Sequence, residues 1–168
     1  MKKVRNFSRA LFIGRFQPFH NGHLRVIKDI MKESGRIAIA IAGPEKSDEK
    51  NPFSFDERKK MIRMALKKEG ISGYGILGIR DVDDDKKWAE IIRSMNGFDV
   101  AYSRNPWVIR CLKMAGIPVK KHKFYDRYKN CGREIRKRIS ESKEWKSLVP
   151  AEVYVYIRKI GGENRIRA

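Results

Sequence analysis

Only two cysteines, Cys111 and Cys131, occur in 168 residues, without paired spacing, and there are only three histidines. That scarcity rules out a disulfide framework and points to a reducing compartment. It also argues against zinc, because His122 is far along the chain from His20 and His23 and no cysteine pair completes a ligand set. No run of eighteen apolar residues is present, so no membrane-spanning helix is expected. The basic lead Met1 to Arg9 runs into a short strand rather than a signal-peptide core, which predicts a soluble, cytoplasmic protein. Repeats, low-complexity tracts and long linkers are missing too, and the length suits one domain over residues 1–168.

What the chain has in excess is positive charge, with 39 Lys and Arg against 20 Asp and Glu, a formal net charge of +19. Such a balance invites a nucleic-acid partner. The cations are nevertheless scattered through every predicted helix with acids between them, as in Asp56-Glu57-Arg58-Lys59-Lys60, and that pattern reads as a solvated surface. One concentration stands apart. Lys120 to Arg138 includes Lys120, Lys121, Lys123, Arg127, Lys129, Arg133, Arg136, Lys137 and Arg138, and suits a triphosphate, a tRNA-like partner or both.

The stretch Leu11 to Leu24 organises the rest. Ala10 to Ile13 is an apolar run of the kind buried on both faces of a parallel sheet, and Gly14 ends it where the backbone must turn. Asn21-Gly22 offers a helix N-cap, and Leu24, Ile27 and Met31 continue at helical spacing. The N–H groups of that first turn form a natural anion site. His20 and His23 flank the cap with Arg15 close by, and donors converging in this way suit a polyphosphate. A pair of ordinary polar histidines and a metal pair are the competing readings.

Downstream, strands and helices alternate. Strands are predicted at Arg36 to Ala42, Tyr74 to Ile79, Phe98 to Tyr102 and Ile117 to Lys120, separated by helices at Gly22 to Glu33, from Ser54 to about Glu69, Lys86 to Met95 and Trp107 to Ala115. Ser54 and Glu57 have capping-box spacing, the aspartates 83–85 favour capping the third helix over a metal site, and Pro106 opens the fourth. The expected fold is α/β: a Rossmann-like, doubly wound, parallel five-stranded sheet with a small helical C-terminal extension, about residues 131–160. Strands one and two should be adjacent and parallel, and Glu163 to Ala168 loose or used in assembly.

At Gly14 to His23, GRFQPFHNGH, the sequence resembles the HxGH nucleotidyltransferase superfamily, most closely its archaeal nicotinamide mononucleotide adenylyltransferases. NPFSFDER at Asn51 to Arg58, the spacing of Asp81 and Trp88, SRNP at Ser103 to Pro106 and CGREIR at Cys131 to Arg136 are similar to further phrases of that family. The resemblance implies adenylyl transfer from ATP to nicotinamide mononucleotide, with Mg2+ on the ATP phosphates. It implies catalytic roles for His20, His23 and Arg136, and ATP contacts at Gly14, Arg15, Phe16, Gly22, Gly132 and Arg133. Arg58 is implied at the mononucleotide phosphate, Trp88 against the nicotinamide ring, Asp81 and Val82 at its carboxamide, and Asn105 in a nucleotide-facing loop. A homo-oligomer, a hexamer, is implied as well. Arg104, Cys131 and Arg133 depart from the family's glycine, serine and threonine. The departures at Arg104 and Arg133 keep another phosphate monoester open as acceptor, such as phosphopantetheine or a flavin nucleotide, and the basic surface keeps open a nucleic-acid-binding module.

Overall fold

The computed structural model describes residues 7–126 and 131–168. Residues 1–6 of the basic lead, and Arg127, Tyr128, Lys129 and Asn130 of the basic concentration, lie outside the described residues. The chain divides into two compact units, each assembled from three segments: Met1–Gly14, Val26–Pro44 and Gly73–Lys123 form one, and Arg15–Arg25, Glu45–Ser72 and Phe124–Ala168 the other.

The first unit is built on a five-stranded sheet in the order β3-β2-β1-β4-β5, every pairing parallel. Its strands are β1 (Phe7–Gly14), β2 (Ser34–Ala42), β3 (Tyr74–Ile79), β4 (Val100–Tyr102) and β5 (Val119–Lys120). Strand order reverses beside β1, the switch point at which open α/β sheets place ligands. β1 and β2 run longer than the apolar pattern suggested, while β4 and β5 are shorter. Ladder pairing, Arg9 with Arg36 for example, carries the central strands beyond their apolar cores, and the edge strand β5 has only β4 to hold it.

Ile37, Ile39 and Ile41 alternate with Ala38 and Ala40 along β2, and all five are buried, as a strand covered on both faces requires. Alanines at 38, 40 and 101 leave room beside the sheet for Trp88, Ala89 and Ile92 of α3 (Asp85–Ser94) and for Cys111, Leu112 and Ala115 of α4 (Pro106–Met114). Asp84 caps α3 by accepting from the N–H groups of Lys86 and Lys87. Asp85 binds Trp107 Nε1 at 2.6 Å and Arg110 Nε at 2.7 Å, tying α3 to α4. The acidic run therefore serves helix capping and bracing.

The second unit contains α2 (Phe55–Lys68), α5 (Gly132–Ser140), a 3-10 turn (Lys146–Leu148), α6 (Ala151–Lys159) and α7 (Gly162–Arg167). The predicted capping box closes α2: Ser54 Oγ accepts from Glu57 N, and a Glu57 carboxylate oxygen accepts from Ser54 N. The final residues correct an expectation, because they form a docked helix rather than a loose tail. Arg165 pairs with both Glu57 carboxylate oxygens, at 3.0 and 2.8 Å, and donates to the Pro52 carbonyl. Gly162 lies against Phe53 and Ile157 so closely that a Cβ would collide with both.

Candidate active site

The second unit encloses a cavity of about 630 Å3, within the range of small-molecule sites. Arg15, Phe16, Gln17, His20 and His23 line one side, Cys131, Gly132, Arg133 and Arg136 another, and Lys46, Asp48, Lys50 and Asn51 a third. Three stretches distant in sequence thus face one space, in which, among the described residues, five cations outnumber a single carboxylate.

The turn after β1 carries the first group. Phe16 takes a left-handed backbone with φ of 53°, and the Gln17–Pro18 peptide is cis. The helix α1 (Asn21–Glu33) follows, and its cap differs from expectation. Asn21 is already helical and donates its amide to the Ser147 carbonyl at 2.9 Å, so His20 occupies the capping position. His20 Nδ1 accepts the N–H of His23, and His23 Nδ1 accepts the N–H of His20, each at 3.3 Å. The pair forms a capping box made of imidazoles. Since each Nδ1 accepts, the ring proton of a neutral imidazole lies on Nε2 in both residues.

Packing fixes the rings further. The two imidazoles stack with centroids 3.5 Å apart, and His23 also meets Phe16 edge-on at 4.7 Å and stacks on Phe19 at 5.5 Å. Burial pushes the His20 pKa down to about 3, which keeps that imidazole neutral at physiological pH. Rigid imidazole donors at a helix N-terminus stabilise anionic oxygen, and the neutral His20 does so without giving up a proton.

Gln17 joins the walls. Its side chain clamps Phe53, with Nε2 donating to the Phe53 carbonyl at 2.8 Å and Oε1 accepting from Phe53 N at 3.0 Å. Its own carbonyl accepts from Arg136 Nη1 at 2.5 Å. Desolvation draws the Arg136 pKa down from its ordinary value. Gly132 and Arg133 begin α5, whose capping position, Cys131, makes no side-chain capping bond, so the backbone donors of the first turn are available to an anion.

Gln17, Lys46, Asp48, Lys50 and Asn51 line the cavity without having been expected there from their place in the sequence. Gln17 and Asn51 stand inside phrases singled out for other residues, whereas the loop residues carry no signal beyond charge.

Other expected residues lie elsewhere. Arg58 does not line the cavity. Its guanidinium is buried, donating through Nε to the Ser54 carbonyl at 3.2 Å and through Nη1 to the Arg15 carbonyl at 3.0 Å. Gly22 lies in the first turn of α1. Gly14 ends β1 in the sheet unit, and Val82 packs on the core there, following β3 with Asp81. Trp88 is fully buried against Trp107, with ring centroids 4.9 Å apart and Nε1 without a hydrogen-bond partner among the described residues. Asn105 caps α4, its Oδ1 accepting from Trp107 N at 2.9 Å. Arg104 donates through Nε to the His122 carbonyl, so its bulk braces two loops. The basic concentration is divided: Arg133 and Arg136 face the cavity, Arg138 pairs with Glu134 at 2.9 Å, and Lys120 to Lys123 belong to the sheet unit. Among the described residues, no three His, Cys, Asp or Glu side chains gather to hold a metal, and no helix is long and apolar enough to cross a membrane.

A parallel α/β sheet and a cationic cavity walled by helix N-termini and paired imidazoles define a protein that handles nucleotide phosphates. The model of the cytidylyltransferase-like family matches residues 11–138, and the chain belongs to that family. A nicotinamide-nucleotide adenylyltransferase from Methanolobus tindarius is 45% identical over 162 residues, covering 95% of this chain and 93% of its own length. Another, from Methanococcus aeolicus, is 42% identical over 161 residues with the same coverage. The crystal structure of a bifunctional NMN adenylyltransferase/ADP ribose pyrophosphatase from Francisella tularensis, complexed with AMP and an Mn ion, matches with a TM-score of 0.81 at 24% identity. That match covers 95% of this chain and 51% of the other, so the chain spans about half the length of the bifunctional protein, and the likeness concerns the fold.

Proposed function

We infer that the protein transfers the adenylyl group of ATP to nicotinamide mononucleotide, giving NAD and pyrophosphate. The observation that carries this is the gathering of His20, His23, Arg136 and Arg15 around one cavity, in a chain 45% identical to an enzyme of that name. A phosphate oxygen of the mononucleotide attacks the α-phosphorus of ATP. The new O–P bond forms as the bond from that phosphorus to the bridging oxygen breaks, and pyrophosphate leaves with the electron pair. The nucleophile is already an anion, so neither a strong general base nor a covalent enzyme intermediate is needed, and catalysis consists of alignment and charge neutralisation.

Within this reading His20, His23 and Arg136 hold the triphosphate and the departing pyrophosphate, aided by Arg15, Phe16, Gly22, Gly132 and Arg133, with Gly14 at the strand exit. Mg2+ would be held by the phosphate oxygens of ATP and by water and would neutralise part of their charge, since Asp48, the one carboxylate lining the cavity among the described residues, already accepts from Lys50 and Asn51. The acceptor falls to Arg58, Asp81, Val82, Trp88 and Asn105. Of these, Arg58 and Trp88 must leave their buried positions to touch it, and Asn105 has its amide nitrogen to offer while its oxygen caps α4. A cytoplasmic homo-oligomer, a hexamer, completes the proposal; light scattering of the purified protein checks the hexamer.

The test is an acceptor panel with ATP and Mg2+, read by pyrophosphate release and product mass. NAD from nicotinamide mononucleotide is expected. Turnover confined to phosphopantetheine or a flavin nucleotide would replace the acceptor, and salt-sensitive RNA binding without pyrophosphate release would replace the reading altogether.

A further inference from the structure

The loop 45–51 between β2 and α2 forms the third wall of the cavity, and it holds a chain of polar contacts that the transfer reaction leaves unexplained. The Asp48 carboxylate accepts from Lys50 N at 2.8 Å and Asn51 N at 2.9 Å, and its two oxygens accept from Asn51 Nδ2 at 2.9 and 3.1 Å. Asn51 is buried, only 4% exposed, and its Oδ1 accepts from Arg15 Nη1 at 3.2 Å.

An asparagine amide has one donor end and one acceptor end. With Nδ2 fixed on a carboxylate, Oδ1 must point the opposite way, toward the guanidinium. A flipped amide would set oxygen against carboxylate and N–H against guanidinium, two repulsions in place of two attractions. Asp48 therefore sets the orientation of Asn51, and Asn51 fixes one edge of Arg15. Arg15 is an exposed side chain with many rotamers, and the bond to Asn51 Oδ1 narrows them on the cavity wall.

We propose that Asp48 and Asn51 are positioning residues that aim Arg15 at the phosphates of ATP. The proposal rests on the reading of the cavity as the ATP site. Asp48 and Asn51 act through Arg15, so their worth must vanish once Arg15 is gone.

A double-mutant cycle reads this directly. Arg15→Ala is expected to lower kcat/KM for ATP about 100-fold, Asn51→Ala about tenfold and Asp48→Ala about fivefold, as for charge-assisted bonds lost around an anion. Arg15→Ala/Asn51→Ala and Arg15→Ala/Asp48→Ala should each be no worse than Arg15→Ala alone, with KM for the acceptor unchanged throughout. Losses that multiply, or an acceptor KM that rises in step, overturn the proposal by showing a general structural role. Should Asn51→Ala not fold, Asp48→Ala decides alone because Asp48 is exposed: full activity there, or a loss that persists without Arg15, overturns it. The same cycle measured as ATP affinity by calorimetry separates the two levels of inference. Wild-type protein that binds ATP with the expected coupling but makes no NAD contradicts the transfer reaction and leaves the positioning role supported; absence of ATP binding contradicts both.

Discussion

Gly132 sits so close to Gln17 that a Cβ on it would lie 2.5 Å from the Gln17 carbonyl oxygen and 3.2 Å from Arg136 Nη1. The same carbonyl accepts from that Arg136 nitrogen, so the start of α5 and its arginine are seated on a single backbone oxygen. Gly132→Ala has no flexible side chain to push aside and must move backbone. We expect kcat/KM for ATP to fall by about 100-fold, with a loss of roughly 1–3 kcal/mol in stability from overpacking. Steady-state kinetics with a denaturant melt check both, and an alanine variant of normal activity would show that α5 need not approach so closely.

Acid should weaken the fold through His20. In the unfolded chain its imidazole takes up a proton as pH falls through about 6.5, while the folded protein holds the ring neutral until about pH 3. Between those values the unfolded state binds more protons, so stability declines as pH is lowered. His20→Asn keeps an acceptor for the His23 N–H without the titration. Its melting temperature should depend less on pH than that of the wild type between about pH 6.5 and 3, and parallel curves would contradict the assignment.

His23→Ala should leave the fold intact and reduce turnover by about 100- to 1,000-fold, the usual worth of a donor aimed at developing anionic charge. A far-ultraviolet spectrum alongside the rate separates the two effects. Turnover near that of the wild type would remove the role of His23.

Arg165→Ala should loosen α7 from the second unit. The pair with Glu57 is bidentate but partly exposed, with side-chain exposures of 39% and 21%, so its share is discounted to about 1 kcal/mol, to which the lost Pro52 contact adds. A drop of a few degrees in melting temperature is expected, with KM for ATP unchanged.

The alternation of Ile and Ala in β2, the glycine exit of β1 and the Ser54–Glu57 box made the parallel sheet and its helices legible, because period and capping are local properties. His20, His23 and Arg136, which all line one cavity, were legible as phosphate-binding candidates because each stands in a motif beside a helix start. The docking of Arg165 on Glu57 was not, since nothing local in the last residues of the chain marks a partner 108 positions away. Trp88 shows the same limit from the other side. Its place near a helix start suited both a ligand contact and the core, and only packing reveals the ring wholly buried beside the alanines of β2 and β4. Gln17 and Asn51 escaped notice because amides act through hydrogen-bond geometry, which spacing does not encode.

The most direct test of adenylyl transfer in this cavity is to follow phosphorus labels from ATP with nicotinamide mononucleotide as acceptor. Label at the α-position should appear in NAD, and label at the γ-position in pyrophosphate. Label from the γ-position in orthophosphate, or from the α-position in free AMP with no dinucleotide formed, would contradict the account.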